Sequence, residues 1–303
     1  MVNDDPYFKP VYIIGDTPLA CFLSAKLSLA GENIYRLGAG TSNPSEIYTL
    51  KDISEKNKHS VRLPAGKVMH TPARMVILCL GPEQQKSGLC TFSTAKAEQC
   101  PVISFCRMPP KDISKILRCP VIPAYFDGWL IMPTSSEIDY KGAVKGITLS
   151  LDEKHPLFDD IRQILAKTYL NIHYDSDDTQ NFWEYFLPET TATLFSLQTH
   201  APFKDISKKT PLRQILNTLV DEIVSISPSA TNTDKEQILR EIYGIPDQWQ
   251  PPLIEQIAHK QGGELSFIIQ TLAKQSTYNT TTCPTIAKLL NQTLKHILSL
   301  VEE

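Results

Sequence analysis

Residues 11–37, VYIIGDTPLACFLSAKLSLAGENIYRL, decide the fold. Val11–Ile14 is a short, β-branched apolar run of the kind that fills a central strand buried on both faces. Gly15 then turns the chain. Thr17-Pro18 supplies a helix start, with Thr as N-cap and Pro in the first turn. Leu19, Phe22, Leu23, Leu27 and Leu29 are expected to form the core face of that helix. Gly31 is placed to cap its end, and Asn33–Leu37 resumes as strand. Strand, glycine turn, helix and strand in this order make the βαβ unit that opens a dinucleotide-binding domain.

Moving outward, Ser42–Pro72 is polar, with weak strand signals at Ile47–Leu50 and Val61–Leu63. Met75–Leu80, MVILCL, is the next clear buried strand. A helical pattern over Glu83–Ala97 follows, then a strand at Val102–Cys106. This alternation predicts a Rossmann-like α/β domain with a doubly wound, mostly parallel sheet. Val121–Tyr125, Trp129–Met132 and Val144–Ser150 read as further strands, the first two joined by an Asp127-Gly128 hairpin turn. Beyond Leu151 helical periodicity dominates. It covers Leu157–Thr168, Thr179–Leu197, Leu212–Ile226, Asp234–Tyr243, Leu253–His259, Glu264–Gln275 and Ile286–Val301. The expected organisation is therefore residues 1–168 as the α/β domain and 169–303 as an all-helical C-terminal domain.

The 303 residues are 42% hydrophobic and 21% charged, as in an ordinary globular protein, and carry a formal charge of −3. That balance gives no general attraction to nucleic acid or to an anionic membrane, and neither is expected as a partner. No apolar run approaches the roughly 20 residues of a membrane-spanning helix. The polar, acidic start MVNDDPYFKP does not read as a secretory signal, so a cytoplasmic protein is expected. The seven cysteines are scattered without C-x-x-C spacing, and the histidines share no ligand spacing. They read as thiols in a reducing compartment, and no metal site is expected.

The first βαβ unit, the strand-turn MVILCLGPEQ, the helix FWEYFLPETTATLFSL and the segment WQPPLIEQIAHKQGGELSFI together resemble the ketopantoate reductase (2-dehydropantoate 2-reductase) family over essentially the whole chain. The resemblance implies NADPH as cofactor and reduction of a 2-oxo acid to a 2-hydroxy acid in an interdomain cleft. It implies a lysine as proton donor and a place in pantothenate biosynthesis. It assigns the cofactor turn to Gly15, Asp16, Thr17, Pro18, Leu19 and Ala20, with Leu80 and Gly81 after the next strand and Arg107 after the one beyond. Arg36, at the end of the second strand, stands near the family's arginine for a 2′-phosphate.

Against the family pattern the chain departs at many positions. Thr17 replaces the second glycine of Gly-x-Gly-x-x-Gly, where a side chain fills the space through which backbone approaches pyrophosphate. Asp16 sets a negative charge beside it. The same Asp16-Thr17-Pro18 triplet also suits a plain helix cap. Gly81 stands at a lysine position, and Arg107-Met108 replaces Asn-Gly. The catalytic lysine position is Tyr185, followed by Pro188 and Glu189, and the serine pair is Pro251-Pro252. Glu264 alone matches the family's carboxylate.

Two readings follow. In one, a 2-oxo acid reductase has a rebuilt site in which Tyr185 is the acid, with Glu264 and Arg107 assisting. In the other, the protein is non-catalytic and binds a nucleotide, a metabolite or a protein partner, a second copy of itself included.

Overall fold

In the computed structural model the side chains of Val11–Ile14 alternate between two buried layers, Val11 and Ile13 facing one and Tyr12 and Ile14 the other. The structure describes residues 9–38, 47–52, 58–62, 65–66, 73–81, 100–107, 110–134, 136–140, 146–227, 234–259, 261–275, 278 and 281–302. The helix expected over Glu83–Ala97 lies outside these residues, as do Val144 and Lys145. The chain divides into two units, Met1–Asp178 and Thr179–Glu303.

In the first unit the elements run β1 (Val11–Ile14), α1 (Pro18–Leu29), β2 (Ile34–Leu37), β3 (Ile47–Asp52), β4 (Lys58–Arg62), β5 (Ala65–Gly66), β6 (Met75–Leu78) and β7 (Val102–Ser104). They continue as α2 (Pro110–Leu117), β8 (Val121–Asp127), β9 (Leu130–Thr134), β10 (Glu137–Tyr140), β11 (Gly146–Leu149), α3 (Phe158–Ala166) and β12 (Ile172–Tyr174). Eight strands form the main sheet in the order β12-β11-β8-β7-β6-β1-β2-β5. All its pairings are parallel except β8 with β11. The expected doubly wound, mostly parallel α/β sheet is present. The expected division at residue 168 and the one at Asp178 bracket β12, which pairs with β11.

A second sheet of four strands, β4-β3-β10-β9, accompanies the first. Here the hairpin expected at Asp127-Gly128 is not formed. Strand β8 has β7 on one edge and β11 on the other, so both its hydrogen-bonding edges are taken within the main sheet. The chain leaves that sheet after Asp127, and β9 pairs with β10 in the small one.

Helix α1 packs against strands of both sheets. Ala20, Cys21, Phe22, Leu23, Ala25 and Leu27 have no solvent exposure at all. Phe22 shows why: its ring meets Phe126 of β8 at 5.7 Å and Tyr140 of β10 at 5.2 Å, one aromatic from each sheet. A helix buried on so many sides needs apolar residues around its circumference rather than along one stripe, which is how PLACFLSAKLSL reads. Leu29, expected in the core, is instead 44% exposed at the last position of the helix. The other face of the main sheet is closed by Ile113 and Leu117 of α2 over Tyr12, Val76 and Val102.

The corner after α1 is held by charge. The Glu32 carboxylate, almost fully buried, pairs with Arg74 at 3.6 Å and with Lys167 at the end of α3.

The second unit is helical, as expected: α4 (Asp178–Thr199), α5 (Thr210–Ile226), α6 (Lys235–Tyr243), α7 (Pro252–Ala258), α8 (Gly263–Ala273) and α9 (Pro284–Glu302). Helix α4 runs through Pro188, which removes one backbone donor from its interior. Phe182 and Phe186 of α4 meet Phe267 of α8 edge to face, at 6.4 and 5.8 Å. The buried carboxylate of Glu222 on α5 accepts from the Thr285 and Ile286 N–H groups at 3.1 and 2.9 Å, capping the first turn of α9.

Candidate functional site

The chain passes from β1 to β2 on one side of β1 and later returns to β6 on the other, so the strand order reverses between β1 and β6. In open α/β sheets, ligands bind outside the carboxyl ends of the strands at that reversal. Gly15 stands there with φ at +136°, and a Cβ added to it would lie 2.1 Å from the Cys79 carbonyl oxygen. The two strand ends therefore approach so closely that only glycine is accommodated.

Thr17 spans the same gap. Its hydroxyl donates to the Cys79 carbonyl at 3.0 Å and accepts from the Ala20 N–H at 3.2 Å. It is the N-cap of α1, with Pro18 in the first turn. A Cβ on Gly81 would meet the Thr17 methyl group at 3.9 Å, so the threonine side chain fills the space between the β1 turn and the turn after β6. Of the donors that the start of α1 could offer an anion, Pro18 has none and Ala20 is taken by Thr17. The Cys21 N–H bonds to the Thr17 carbonyl. The Leu19 N–H is left. Leu80 and Ala20 are buried, and Pro18 and Leu19 are partly exposed.

Asp16 and Arg36 change the electrostatics expected from sequence. Arg36 is 3% exposed and spends its guanidinium inside the protein. Its Nη2 pairs with Asp16 Oδ1 at 3.0 Å, and its Nε donates to the Gly15 carbonyl at 3.2 Å. A third bond goes to the hydroxyl of Tyr48, whose ring also faces the guanidinium at 5.1 Å. Asp16 is thus a neutralised charge rather than an open repulsion. What opposes a pyrophosphate here is the Thr17 side chain and the loss of backbone donors. The residues present do not fit the phosphate bridge of a dinucleotide seated on α1.

The structure thus brings Gly15, Asp16, Thr17, Arg36 and Gly81 together, and the β6–β7 pairing sets Arg107, three residues past β7, beyond the same end of the sheet. Tyr48 was missed by sequence reading. It lies in a weakly patterned strand of the small sheet, with no local signal that its hydroxyl would meet Arg36. Burial raises the Cys79 thiol well above its ordinary range and pushes Cys21 up to about 11, with Arg36 opposing the latter, so neither is a nucleophile at neutral pH.

Tyr185 and Glu264 belong to the second unit. Tyr185 is partly exposed on α4, one turn before Pro188. Glu264 is 1% exposed in the first turn of α8, where its N–H donates to Gln256 Oε1 at 2.9 Å. They stand on helices that pack together through Phe182, Phe186 and Phe267. Among the described residues there is no cluster of three His, Cys, Asp or Glu able to hold a metal ion. No described helix is long and apolar enough to cross a membrane.

No protein-family model matches the sequence, and a search of curated proteins gave no match. Solved structures do match over nearly the whole chain. A PanE/ApbA family ketopantoate reductase from Ralstonia eutropha JMP134 superposes with a TM-score of 0.74 at 14% identity, covering 96% of this chain and 99% of that one. The fold is that of the ketopantoate reductases. A dimeric ketopantoate reductase from Staphylococcus aureus gives a TM-score of 0.70 at 13% identity, covering 96% of this chain and 99% of that one. The D-mandelate dehydrogenase of a ternary structure with NADH and anilino(oxo)acetate gives 0.70 at 11% identity, covering 95% and 99%. The whole-length resemblance read from the sequence is confirmed at the level of fold. At such identities the ketopantoate reductase architecture is shared by chains with very different side chains, so chemistry has to be argued from the site.

Proposed function

We propose that this protein keeps the ketopantoate reductase fold without its NADPH-dependent reduction, and acts by binding a metabolite, a nucleotide or a protein partner. The observation that carries this reading is the Thr17 hydroxyl bonded across the switch point to Cys79, with the neighbouring Asp16 and Arg36 paired to each other. The Thr17 hydroxyl, the Ala20 and Cys21 N–H groups and the Arg36 guanidinium, which would otherwise greet a phosphate, are engaged within the chain.

The test is a titration with NADPH and NADH followed by thermal melting and tryptophan fluorescence. Ligand that binds the folded state raises Tm by mass action. No shift is expected at about 1 mM cofactor, well above the range in which dehydrogenases hold it. A shift of several degrees accompanied by NADPH oxidation on addition of ketopantoate would overturn the reading.

A second reading is favoured by the packing of α4 on α8, which places Tyr185 and Glu264 on neighbouring helices. Here the protein is a 2-oxo acid reductase in which Tyr185 gives the proton and Arg107 meets a phosphate or carboxylate. Its test is oxidation of NADPH with ketopantoate by the protein and by Tyr185→Phe. Turnover that falls at least 100-fold in the variant would establish Tyr185 as the acid, and equal rates would remove it.

A further inference from the structure

The tetrapeptide Cys-Pro-Val-Ile occurs twice, at 100–103 and 119–122, and each copy leads into one of two neighbouring strands. Strands β7 and β8 are parallel and in register, with Val102 beside Val121 and Ile103 beside Ile122. Two residues back along both chains, past Pro101 and Pro120, stand Cys100 and Cys119. The period of two along a strand puts each cysteine on the face of its own valine. All four residues belong to one apolar cluster under α2. Both cysteines are thiols, Cys119 6% exposed and Cys100 partly exposed. Neighbouring strands lie about 4.8 Å apart, inside the roughly 4.4–6.8 Å between Cα atoms that a disulfide spans. The two prolines fix φ just after each cysteine and limit the freedom of both approaches.

We propose that Cys100 and Cys119 form a dithiol that closes to a reversible disulfide, pinning the leading ends of β7 and β8. The site lies at the amino end of the sheet, away from the Gly15 turn, and stands whether or not the protein binds a dinucleotide. With a peroxide as oxidant, the first thiolate attacks one oxygen, the O–O bond breaks, and a sulfenic acid and hydroxide result. The second thiol displaces water from that sulfenic acid and the S–S bond forms. Two S–H bonds are lost, two electrons pass to the peroxide, and two waters leave. Burial and the neighbouring Cys119 push the Cys100 thiol up to about 12. The thiolate is scarce at neutral pH, so the closure is slow there and suits sustained rather than brief oxidation.

The experiment treats the full chain with hydrogen peroxide at about pH 8.5, a condition that raises the thiolate fraction, followed by non-reducing peptide mapping. A mass loss of two hydrogens and one linkage, Cys100 to Cys119, are expected. The linkage should be reversed by dithiothreitol and absent from Cys100→Ser, whose partly exposed position tolerates the change. The oxidised protein should melt roughly 4 °C higher, from the closed loop between the two strands. Sulfinic acid at Cys100 with Cys119 still alkylatable would overturn the proposal, as would linkage of either residue to another cysteine, including Cys90. Alkylation of the native protein before peroxide gives a check independent of any variant: blocking Cys100 alone should abolish the linkage.

Discussion

The guanidinium of Arg36 and the carboxylate of Asp16 meet at 3.0 Å, joining the end of β2 to the turn after β1. With the Gly15 carbonyl and the Tyr48 hydroxyl as its other partners, Arg36 is a structural keystone of the turn. Its burial leaves no guanidinium face for a ligand phosphate. Arg36→Met removes one member of a buried charge pair and strands Asp16. Breaking such a pair costs about 3–5 kcal/mol. Since Asp16 is partly exposed and can rehydrate, we expect about 2–3 kcal/mol, read from the urea midpoint. Unchanged stability would mean the guanidinium is not engaged as described.

Replacing Thr17 by glycine removes the bond to Cys79 and the side chain from the switch point. Glycine is an acceptable N-cap, so the cap itself loses only a few tenths of a kcal/mol, and the bond to Cys79 about 1 kcal/mol more. With Asp16 left paired to Arg36, the change should raise affinity for NADPH at least tenfold over the unaltered chain, measured by calorimetry. Affinity that does not move would locate the obstacle elsewhere than in the turn.

Gly15→Ala is expected to fail to accumulate as soluble protein. Its Cβ would lie 2.1 Å from a backbone oxygen at a φ of +136°, and neither strand end can yield without breaking the β1–β6 pairing. Strain of this kind belongs to the class that exceeds about 4 kcal/mol. Normal expression with an unchanged melting temperature would refute the close approach.

In the second unit, Glu222→Ala leaves the Thr285 and Ile286 N–H groups at the start of α9 without their acceptor. A loss of about 2 kcal/mol is expected, and roughly half of that for Glu222→Gln, which keeps a carbonyl acceptor but gives up the charge. Chemical denaturation of both variants checks the order. Equal effects would mean that packing, not the cap, is what the residue supplies.

How much of this could be read beforehand follows from the range of the interactions. The βαβ unit was legible because strand burial, the Thr17 cap, Pro18 and Gly31 act within a few residues of one another. The helices of the second unit were legible for the same reason, each carrying its own apolar period. The small sheet was not. Its two halves, β3–β4 and β9–β10, are each local, but they join through β3 and β10, which pair across eighty-odd intervening residues. Missing that sheet had two consequences. Asp127-Gly128 read as a hairpin, and the destination of Arg36 was hidden, since Tyr48 comes from β3. Asp16 likewise read as an exposed repulsive charge because its counterion lies twenty residues on.

Enclosure of α1 between two sheets also sets how this region moves. The backbone amides of Phe22 through Leu27 reach water only if the main and small sheets part, an opening that disrupts the shared core. Hydrogen–deuterium exchange there should run at the rate of global unfolding of the first unit, among the slowest in the chain. The turn at its head inherits that stiffness. A helix clamped in this way does not slide aside to admit a guest, so any gain of ligand at Gly15–Ala20 has to come through replacement of side chains, one inherited substitution at a time.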